Sequence, residues 1–419
     1  MTATDLRGRG AARELRGLGV LTWLLVGSQA AFNVGFFMVL PYLAAHLSGT
    51  IGLAGWLVGL VLGLRTFSQQ GLFVVGGALT DRCGPRPVVL AGCVLRVAGF
   101  AWLAVAEGTG AIIAAVLLIG FAAALFSPAV ETEVARQAVR HEQATGTPRT
   151  RVLALFSVAG QAGTLVGPPL GALLLLGGFA TACLAGAAVF TAVLAAHLRW
   201  MPRGAPGGAP AGERTRTGEG VRALLAHRPF LLLCLAYSGY LLAYNQLYLA
   251  LPAEVERATG AQAALGWLLA WGSLLYVLVQ MPVLRWIGDR LPRRTVLRVG
   301  LLLLALGFAA AAALMPATAV GGLLPSAVFV TALTLGQVLI VPTVRAWVPD
   351  LVDGARLGLF TGALSSVSGL AVLLGSIPAG ALVDRGGPAS WLFMSAVPLA
   401  GAACVPREGS PSVSGGGRP

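Results

Sequence analysis

Residues 77–86 read GALTDRCGPR, and a related stretch, GDRLPRR, occupies residues 288–294. An Asp-Arg pair stands at Asp81 and again, 208 residues later, at Asp289, and each Asp is followed five residues later by a further arginine. Both stretches come directly after a long apolar run. Because ordered repeats at a constant offset indicate internal duplication, the chain is predicted to consist of two related halves.

The composition excludes an ordinary soluble protein. Of the 419 residues, 57% are hydrophobic and 11% are charged, whereas about 25% of the residues of soluble domains are charged. The mean hydropathy is +0.82. So few charges cannot cover the surfaces of soluble domains, and lipid must therefore be the solvent for most of the chain.

Apolar runs long enough to cross a bilayer occur along the whole chain. A helix needs about 20 apolar residues for this purpose, and twelve such runs lie approximately at 19–44, 52–79, 88–106, 110–135, 152–175, 177–198, 229–251, 264–286, 296–314, 320–344, 357–382 and 389–405. The break at 200–228, rich in Gly, Pro and charge, predicts a linker between two six-helix halves, 1–199 and 229–405. The Gly/Ser-rich tail, 406–419, is expected to be disordered. These features predict an all-α integral membrane protein of twelve transmembrane helices in two pseudo-symmetric halves, an architecture typical of secondary transporters.

The positions of the arginines predict orientation in the membrane. All 29 basic residues are arginine, and the net charge is +13. With both chain ends in the cytoplasm, 25 of them fall in cytoplasmic segments, while Arg257 and Arg385 fall outside and Arg65 and Arg96 lie within runs. Positively charged loops stay in the cytoplasm, so this asymmetry predicts cytoplasmic N- and C-termini. We expect the lipid bilayer as a partner and no nucleic acid.

The loop at 77–86 resembles the signature loop of the major facilitator superfamily. Glycines permit a tight turn between antiparallel helices, and an acid with arginines can join the two halves at the cytoplasmic face. The alternative is a solvated loop that follows the positive-inside rule. The candidate residues of this conformational latch are Gly77, Asp81, Arg82, Gly84, Arg86, Asp289 and Arg290.

A second motif, GTLVGPPLG at 163–171, resembles the motif of the antiporter branches of that superfamily. Its small residues let helices approach closely, and proline bends the helix, so the segment could seal a cavity against leak. Ordinary close packing is the alternative. The motif residues are Gly163, Gly167, Pro168 and Gly171.

The stretches GLRTFSQQG at 63–71 and LRVAGF at 95–100 resemble the MdtH-type multidrug-resistance transporters, a drug-efflux group of the superfamily. Weaker similarity extends to residues 35–37 and 230–252. The resemblance implies proton-driven antiport, in which small drugs leave across the bacterial inner membrane as protons enter. It does not identify the substrate, and an importer, symporter or uniporter of a small metabolite on the same fold is the alternative.

Carboxylates within the apolar runs are the candidates for proton coupling, because a proton antiporter needs an intramembrane group that gains and loses a proton. Of the 16 acidic residues, only Glu131 and Glu133 lie within or against a run. Relatives tend to carry acids beside the prolines of runs 4 and 10, where this chain has Ser127-Pro128 and Val341-Pro342. Glu131 and Glu133 could instead pair with the nearby Arg136 or Arg140.

Substrate-contacting candidates are polar or aromatic residues inside the runs. Arg65 lies about 20 Å deep, where it must face water or a partner. There it would give a cavity positive potential and favour neutral or anionic substrates. Four tyrosines of run 7, from Tyr237 to Tyr248, share one helix face, either lining a cavity or packing. The candidates are Asn33, Phe36, Arg65, Gln69, Tyr240, Tyr244, Asn245 and Trp271.

Other chemistry is not indicated. The five cysteines have no metal-ligand spacing, so no metal is expected. A chain without lysine has no Gly-rich phosphate loop, so ATP is not expected to drive it. No catalytic constellation or cofactor motif is present. We expect a monomer that moves a small molecule and protons and is not an enzyme.

Overall fold

The computed structural model describes residues 18–203, 224, 226–287, 290–316, 319–351 and 357–407, and this part of the chain is helical without any strand. Six long helices come before the predicted linker. Their bounds are α1 Val20–Phe37 (continued by Leu40–Ala45 and a π-helical turn, His46–Thr50), α2 Gly55–Gln70 (continued by Phe73–Cys83), α3 Pro85–Val105, α4 Thr109–Thr145, α5 Arg149–Leu174 (ending in a 3₁₀ turn, Leu175–Gly177) and α6 Phe179–Trp200.

Six further helices follow the predicted linker. They are α7 Arg228–Asn245 (followed by Ala250–Thr259), α8 Ala263–Ile287, α9 Arg293–Leu314, α10 Leu324–Leu351, α11 Leu357–Arg385 and α12 Gly387–Ala403, with a 3₁₀ turn, Ala319–Gly322, before α10. The predicted linker lies mostly outside the described residues, as does the predicted tail from residue 408 onward.

In the described part of the chain, eleven helices are long and apolar enough to cross a membrane. The remaining one, α12, has 17 residues, which gives it a length of about 25 Å against a hydrocarbon core of about 30 Å. The predicted runs and the helices agree in order and position, but three helical segments extend further: α4 to Thr145 instead of 135, α10 to Leu351 instead of 344, and the helix after α7 to Thr259 instead of 251. Hydropathy marks only the apolar part of a helix, and residues 136–145 are polar but include good helix formers.

The helices pack in two groups. In the N-terminal group α1 contacts α5 and α6, and α3 contacts α4 and α6. In the C-terminal group α9 contacts α10 and α12, and α7 contacts α11 and α12. Among the described residues the two groups meet mainly through α2 with α11 and α5 with α8. This is the predicted arrangement of two six-helix halves.

Close contact between α2 and α11 depends on small residues. A Cβ at Gly59 would strike the carbonyl of Ser376, and a Cβ at Gly63 would lie 2.9 Å from the Cα of Leu373. Side chains at these positions would therefore force the helices apart, as expected where helices in lipid approach closely.

The helices α2 and α11 are antiparallel, and both end in nearly the same sequence. Residues 77–85 read GALTDRCGP and residues 380–388 read GALVDRGGP. Because the helices are antiparallel, the second Asp lies at the start of α2, where the Gly55 N–H donates a hydrogen bond of 2.6 Å to Asp384 Oδ2. We call the face with Asp81 and Arg86 the arginine-rich face and the face with Gly55 and Asp384 the opposite face.

Candidate functional site

A cavity of about 560 Å³ lies between the two helix groups. Side chains of α1, α4 and α5 line one side, and side chains of α7, α8 and α10 line the other. Its volume is within the range of small-molecule sites.

The cavity opens toward the arginine-rich face. Leu153, near the start of α5, is 37% exposed and lines its mouth together with the exposed side chains of Glu131 and Arg345. At the other end the Tyr42 hydroxyl donates a hydrogen bond of 2.6 Å to the Pro168 carbonyl. A Cβ at Gly266 of α8 would lie 2.9 Å from that same oxygen. The contact between α5 and α8 thus closes the cavity toward the opposite face.

Uncharged polar groups dominate the middle of the cavity. One glutamine from each of four helices lines it, and all four side chains are half-buried: Gln29, Gln161, Gln280 and Gln337. Sequence reasoning missed them because it looked for charges and aromatic rings. An amide in the centre of an apolar run is itself a signal, since burying it without a hydrogen-bond partner is costly.

Two charged side chains line the cavity, one from each group. Glu131 follows Pro128 of α4 by three residues, and Arg345 follows Pro342 of α10 by three. Arg345 lies within electrostatic range of Glu131. Sequence reasoning selected Glu131 but missed Arg345, although the matching distance from the two prolines was a readable signal.

Glu133, the second proton-coupling candidate, is directed elsewhere. It is 7% exposed. Gln137 Nε2 donates a hydrogen bond of 2.8 Å to its Oε1, and Arg136 lies 3.8 Å from its Oε2. These contacts agree with the alternative that Glu133 pairs with Arg136.

Tyr237, Tyr240 and Tyr244 share one face of α7, as their spacing indicated, and Tyr248 continues the row in the turn that follows Asn245. Ring centroids of Tyr237, Tyr240, Tyr244 and Tyr248 follow one another at 5.4, 5.9 and 5.9 Å. Tyr244 and Tyr248 line the cavity, whereas Tyr240 is 3% exposed and packs within the C-terminal group.

On α1, Asn33 lines the cavity and Phe37 does so in place of the predicted Phe36. Asn245 lies behind the lining, 3% exposed, where it hydrogen bonds Ser376 of α11 (3.0 Å) and Thr66 of α2 (3.3 Å). Trp271 is 45% exposed and donates to Thr331 on the outer surface. It lies outside because α8 turns its other side, from Leu269 to Gln280, toward the cavity.

Arg65 is a structural partner of aromatic rings and does not line this cavity. Arg65 is 6% exposed, and its guanidinium donates a hydrogen bond of 2.8 Å to Gln69 Oε1. Gln69 does not line the cavity either. The Cζ atom lies 4.8 Å from the ring centroid of Phe36 and 5.8 Å from that of Tyr248. The expected positive charge at the cavity surface comes instead from Arg345.

The predicted latch residues make no described contact between the two groups. Asp81 and Arg82 are exposed, Arg86 donates to the Leu198 carbonyl at the end of α6, and Arg290 donates to the Trp286 carbonyl at the end of α8. Asp289 lies outside the described residues. Gly84 has φ +81° between α2 and α3, so this tight turn favours glycine. Gly77 has no neighbour within 4 Å of a Cβ position.

The glycines of 163–171 bring α5 against α1. A Cβ at Gly163 would lie 2.8 Å from Asn33 Cβ, and one at Gly167 would lie 2.8 Å from Phe37 Cβ. A Cβ at Gly171 would strike the Met38 carbonyl. This packing positions the Pro168 carbonyl at the closed end of the cavity.

The Major Facilitator Superfamily model matches residues 22–257 and 233–413. The chain belongs to the Major Facilitator Superfamily. An uncharacterized MFS-type transporter of Mycobacterium tuberculosis is 36% identical over 384 residues, covering 90% of this chain and 88% of that protein. Multidrug resistance protein MdtH of Salmonella typhimurium is 31% identical over 375 residues, covering 89% and 88%.

Solved structures share the fold at low sequence identity. The nucleoside transporter NupG superposes with a TM-score of 0.75 at 14% identity, covering 92% of this chain and 98% of its own. An auto-inhibited POT family peptide transporter superposes with a TM-score of 0.73 at 17% identity, covering 92% and 96%. The relatives and neighbours are transporters and not enzymes, so this chain is a multi-pass membrane transporter.

Proposed function

We propose that this protein exports small amphipathic molecules from the bacterial cytoplasm by alternating access between its two helix groups, in exchange for protons. The observation that carries the proposal is the cavity between the groups, open at one face and closed at the other by α2–α11 and α5–α8. Such a site reaches the other face when the groups rock against each other around it.

The arginines support an orientation with the open face in the cytoplasm of the inner membrane. Cytoplasmic loops carry the excess of positive charge, and 25 of the 29 arginines fall in the segments assigned to that side. With this orientation the cavity loads from the cytoplasm. The similarity to the MdtH multidrug resistance proteins supports export of drug-like compounds.

Glu131 is the best-supported proton site. Its exposed carboxylate lines the cavity and makes no ion pair within 4 Å among the described residues. A carboxylate that is protonated cannot at the same time bind a cationic group as a charged partner. Proton entry and release of a basic substrate therefore compete for the same side chain.

Reconstituted vesicles with an imposed pH gradient test this coupling. The transported compound comes from a drug-susceptibility panel on a deletion strain and an overexpressing strain. A gradient that is acidic inside should drive uptake by wild type and by Glu133→Gln, whereas Glu131→Gln should lose the response to the gradient and exchange a basic substrate more slowly than wild type.

Three results would contradict the proposal. A wild-type protein without any response to the gradient would remove proton coupling, leaving exchange for another solute or uniport. Gradient-driven uptake that persists when both Glu131 and Glu133 are glutamine would remove the carboxylate assignment. Lower compound accumulation in deletion cells, instead of higher, would show import.

A further inference from the structure

The charged groups of the cavity are balanced across its two sides. Among the described residues that line it, Glu131 is the acid and Arg345 is the base, and no other ionisable acid, arginine or histidine joins them. Glu131 belongs to α4 of the N-terminal group, and Arg345 belongs to α10 of the C-terminal group. The cavity thus presents one negative and one positive side chain from opposite walls.

These two side chains do not form an ion pair in the open cavity. Both are exposed, and within the described ranges no oxygen of Glu131 lies within 4 Å of a nitrogen of Arg345 or of any other arginine. Both charges are therefore accessible from the open cavity. Once the helix groups close around a ligand, water leaves, and a charge without a partner becomes costly.

A ligand with a single charge would pair with only one of the two charged side chains. A cation would pair with Glu131 and leave Arg345 desolvated without a partner, and an anion would do the reverse. A ligand that carries both charges satisfies both groups at once. The guanidinium suits a carboxylate in particular, because its planar donors match the two oxygens.

The uncharged lining fits the body of such a ligand. The glutamines of α1, α5, α8 and α10 offer both hydrogen-bond donors and acceptors. The rings of Tyr244, Tyr248 and Tyr276 add apolar surface with a polar edge. A purely lipophilic cation would leave most of these amides without partners when the site closes.

We propose that the cavity binds small zwitterions, with the cationic group held by Glu131 and the carboxylate held by Arg345. The inference rests on the proposed function in that the cavity is the transport site. It narrows the substrate class to compounds that combine a basic amine and a carboxylate on a polar or aromatic body.

Binding to the purified, full-length protein in detergent tests the charge preference without any gradient. The probes are 4-(aminomethyl)benzoic acid, its methyl ester, which is only cationic, and its N-acetyl derivative, which is only anionic. Unbranched ω-amino acids of three to eight carbons vary the distance between the charges. Wild type should bind the best zwitterion about tenfold or more tightly than the singly charged analogues.

Charge variants then separate a ligand site from a gate between the two side chains. Glu131→Gln should move the preference to the anionic probe, and Arg345→Gln should move it to the cationic probe. The double variant Glu131→Arg/Arg345→Glu should restore the preference for zwitterions, because both charges return with their positions exchanged. A gate without ligand contact would leave the ranking of the probes unchanged in every variant.

Matched surface variants serve as controls. Glu107 lies exposed between α3 and α4, and Arg140 lies exposed on α4 beyond the cavity, so Glu107→Gln and Arg140→Gln should keep the wild-type ranking. The proposal is overturned if wild type binds none of the zwitterions, if it prefers a singly charged probe, or if Glu131→Gln keeps the wild-type ranking. A transport assay without a response to the pH gradient would instead count against the proposed antiport and leave this ranking intact.

Discussion

The guanidinium of Arg96 is packed among aromatic side chains and not against a carboxylate among the described residues. It is 1% exposed, and its Cζ lies 4.3 Å from the ring centroid of Phe32 and 4.9 Å from that of Phe190. One nitrogen donates to the Ile119 carbonyl at 3.2 Å. Cation–π contacts of this kind contribute about 0.5–2 kcal/mol each, so they offset part of the cost of burying the charge.

This environment predicts different consequences for loss of volume and loss of charge at Arg96. Arg96→Ala should lower the free energy of unfolding by about 3 kcal/mol, because it leaves a cavity among the rings. Arg96→Met fills most of that volume and removes the buried charge, so its stability should remain within about 1 kcal/mol of wild type. Denaturation of the purified protein in detergent measures both.

If Arg96→Met is as unstable as Arg96→Ala, this expectation is wrong: the charge itself then stabilises the cluster, and packing is the smaller contribution. Arg86→Met is the matched control, since Arg86 is half-buried at the arginine-rich face and contacts a helix end.

At the scale of helices, α2 and α11 form a pair in which each member ends in GALxDR. At the opposite face Asp384 accepts a hydrogen bond from the first N–H of α2, where a negative charge also interacts favourably with the helix dipole. At the arginine-rich face Asp81 has no such partner in the described ranges. The antiparallel arrangement would bring Asp81 to the start of α11 once that face closes.

We expect Asp384 and Asp81 to stabilise opposite conformations of the transporter, each by favouring closure of its own face. Asp384→Asn should weaken closure of the opposite face by about 0.5–1 kcal/mol and shift the population away from the open arginine-rich face. Asp81→Asn should shift it the other way. Both should impair transport at normal membrane insertion, because neither holds a single helix in place.

Labelling of a cysteine near the mouth measures this shift. In a cysteine-free background, Ser157→Cys of α5 lies exposed at the open end of the cavity. Asp384→Asn should slow its reaction with a maleimide, and Asp81→Asn should leave it fast. The same direction of change in both variants would contradict the assignment of one aspartate to each face.

Gly59 gives a steric test of the same helix pair. A Cβ at this position would strike the carbonyl of Ser376, so Gly59→Ala should prevent closure of the opposite face and strongly reduce transport. Gly27→Ala on α1 is the matched control, because nothing lies within 4 Å of its Cβ position. Equal transport by the two variants would mean that α2 and α11 separate without loss of function.

The sequence predicted the helices better than it predicted the cavity, for a physical reason. Hydropathy reports how much of a helix lies in lipid, so the positions of α1 to α12 could be predicted, apart from the polar ends of α4, of α10 and of the helix that follows α7. It does not report how each helix is rotated in the bundle. Arg65 and Trp271 were therefore placed in the cavity, whereas rotation of α2 and α8 directs them elsewhere, and Arg345 was missed.

At the scale of the whole molecule, the arginines and the cavity share one face. Leu153, Glu131 and Arg345 mark the mouth at the end of the molecule that also carries Arg86. A transporter that collects its substrate in the cytoplasm needs its open site on the side where positively charged loops are retained. The charge asymmetry and the open cavity thus support the same direction of loading.

The chain contains its own reporter of this orientation. Cys83 is exposed at the end of α2, on the arginine-rich face, whereas Cys93, Cys183 and Cys234 are buried. A membrane-impermeant maleimide should therefore label the wild-type protein in inside-out vesicles but not in intact cells or spheroplasts. Cys83→Ser should remove most of that labelling.

Thr50→Cys, at an exposed position of the opposite face, should be labelled from outside in the Cys83→Ser background. Labelling of Cys83 in intact spheroplasts would reverse the orientation, and the open cavity would then face away from the cytoplasm.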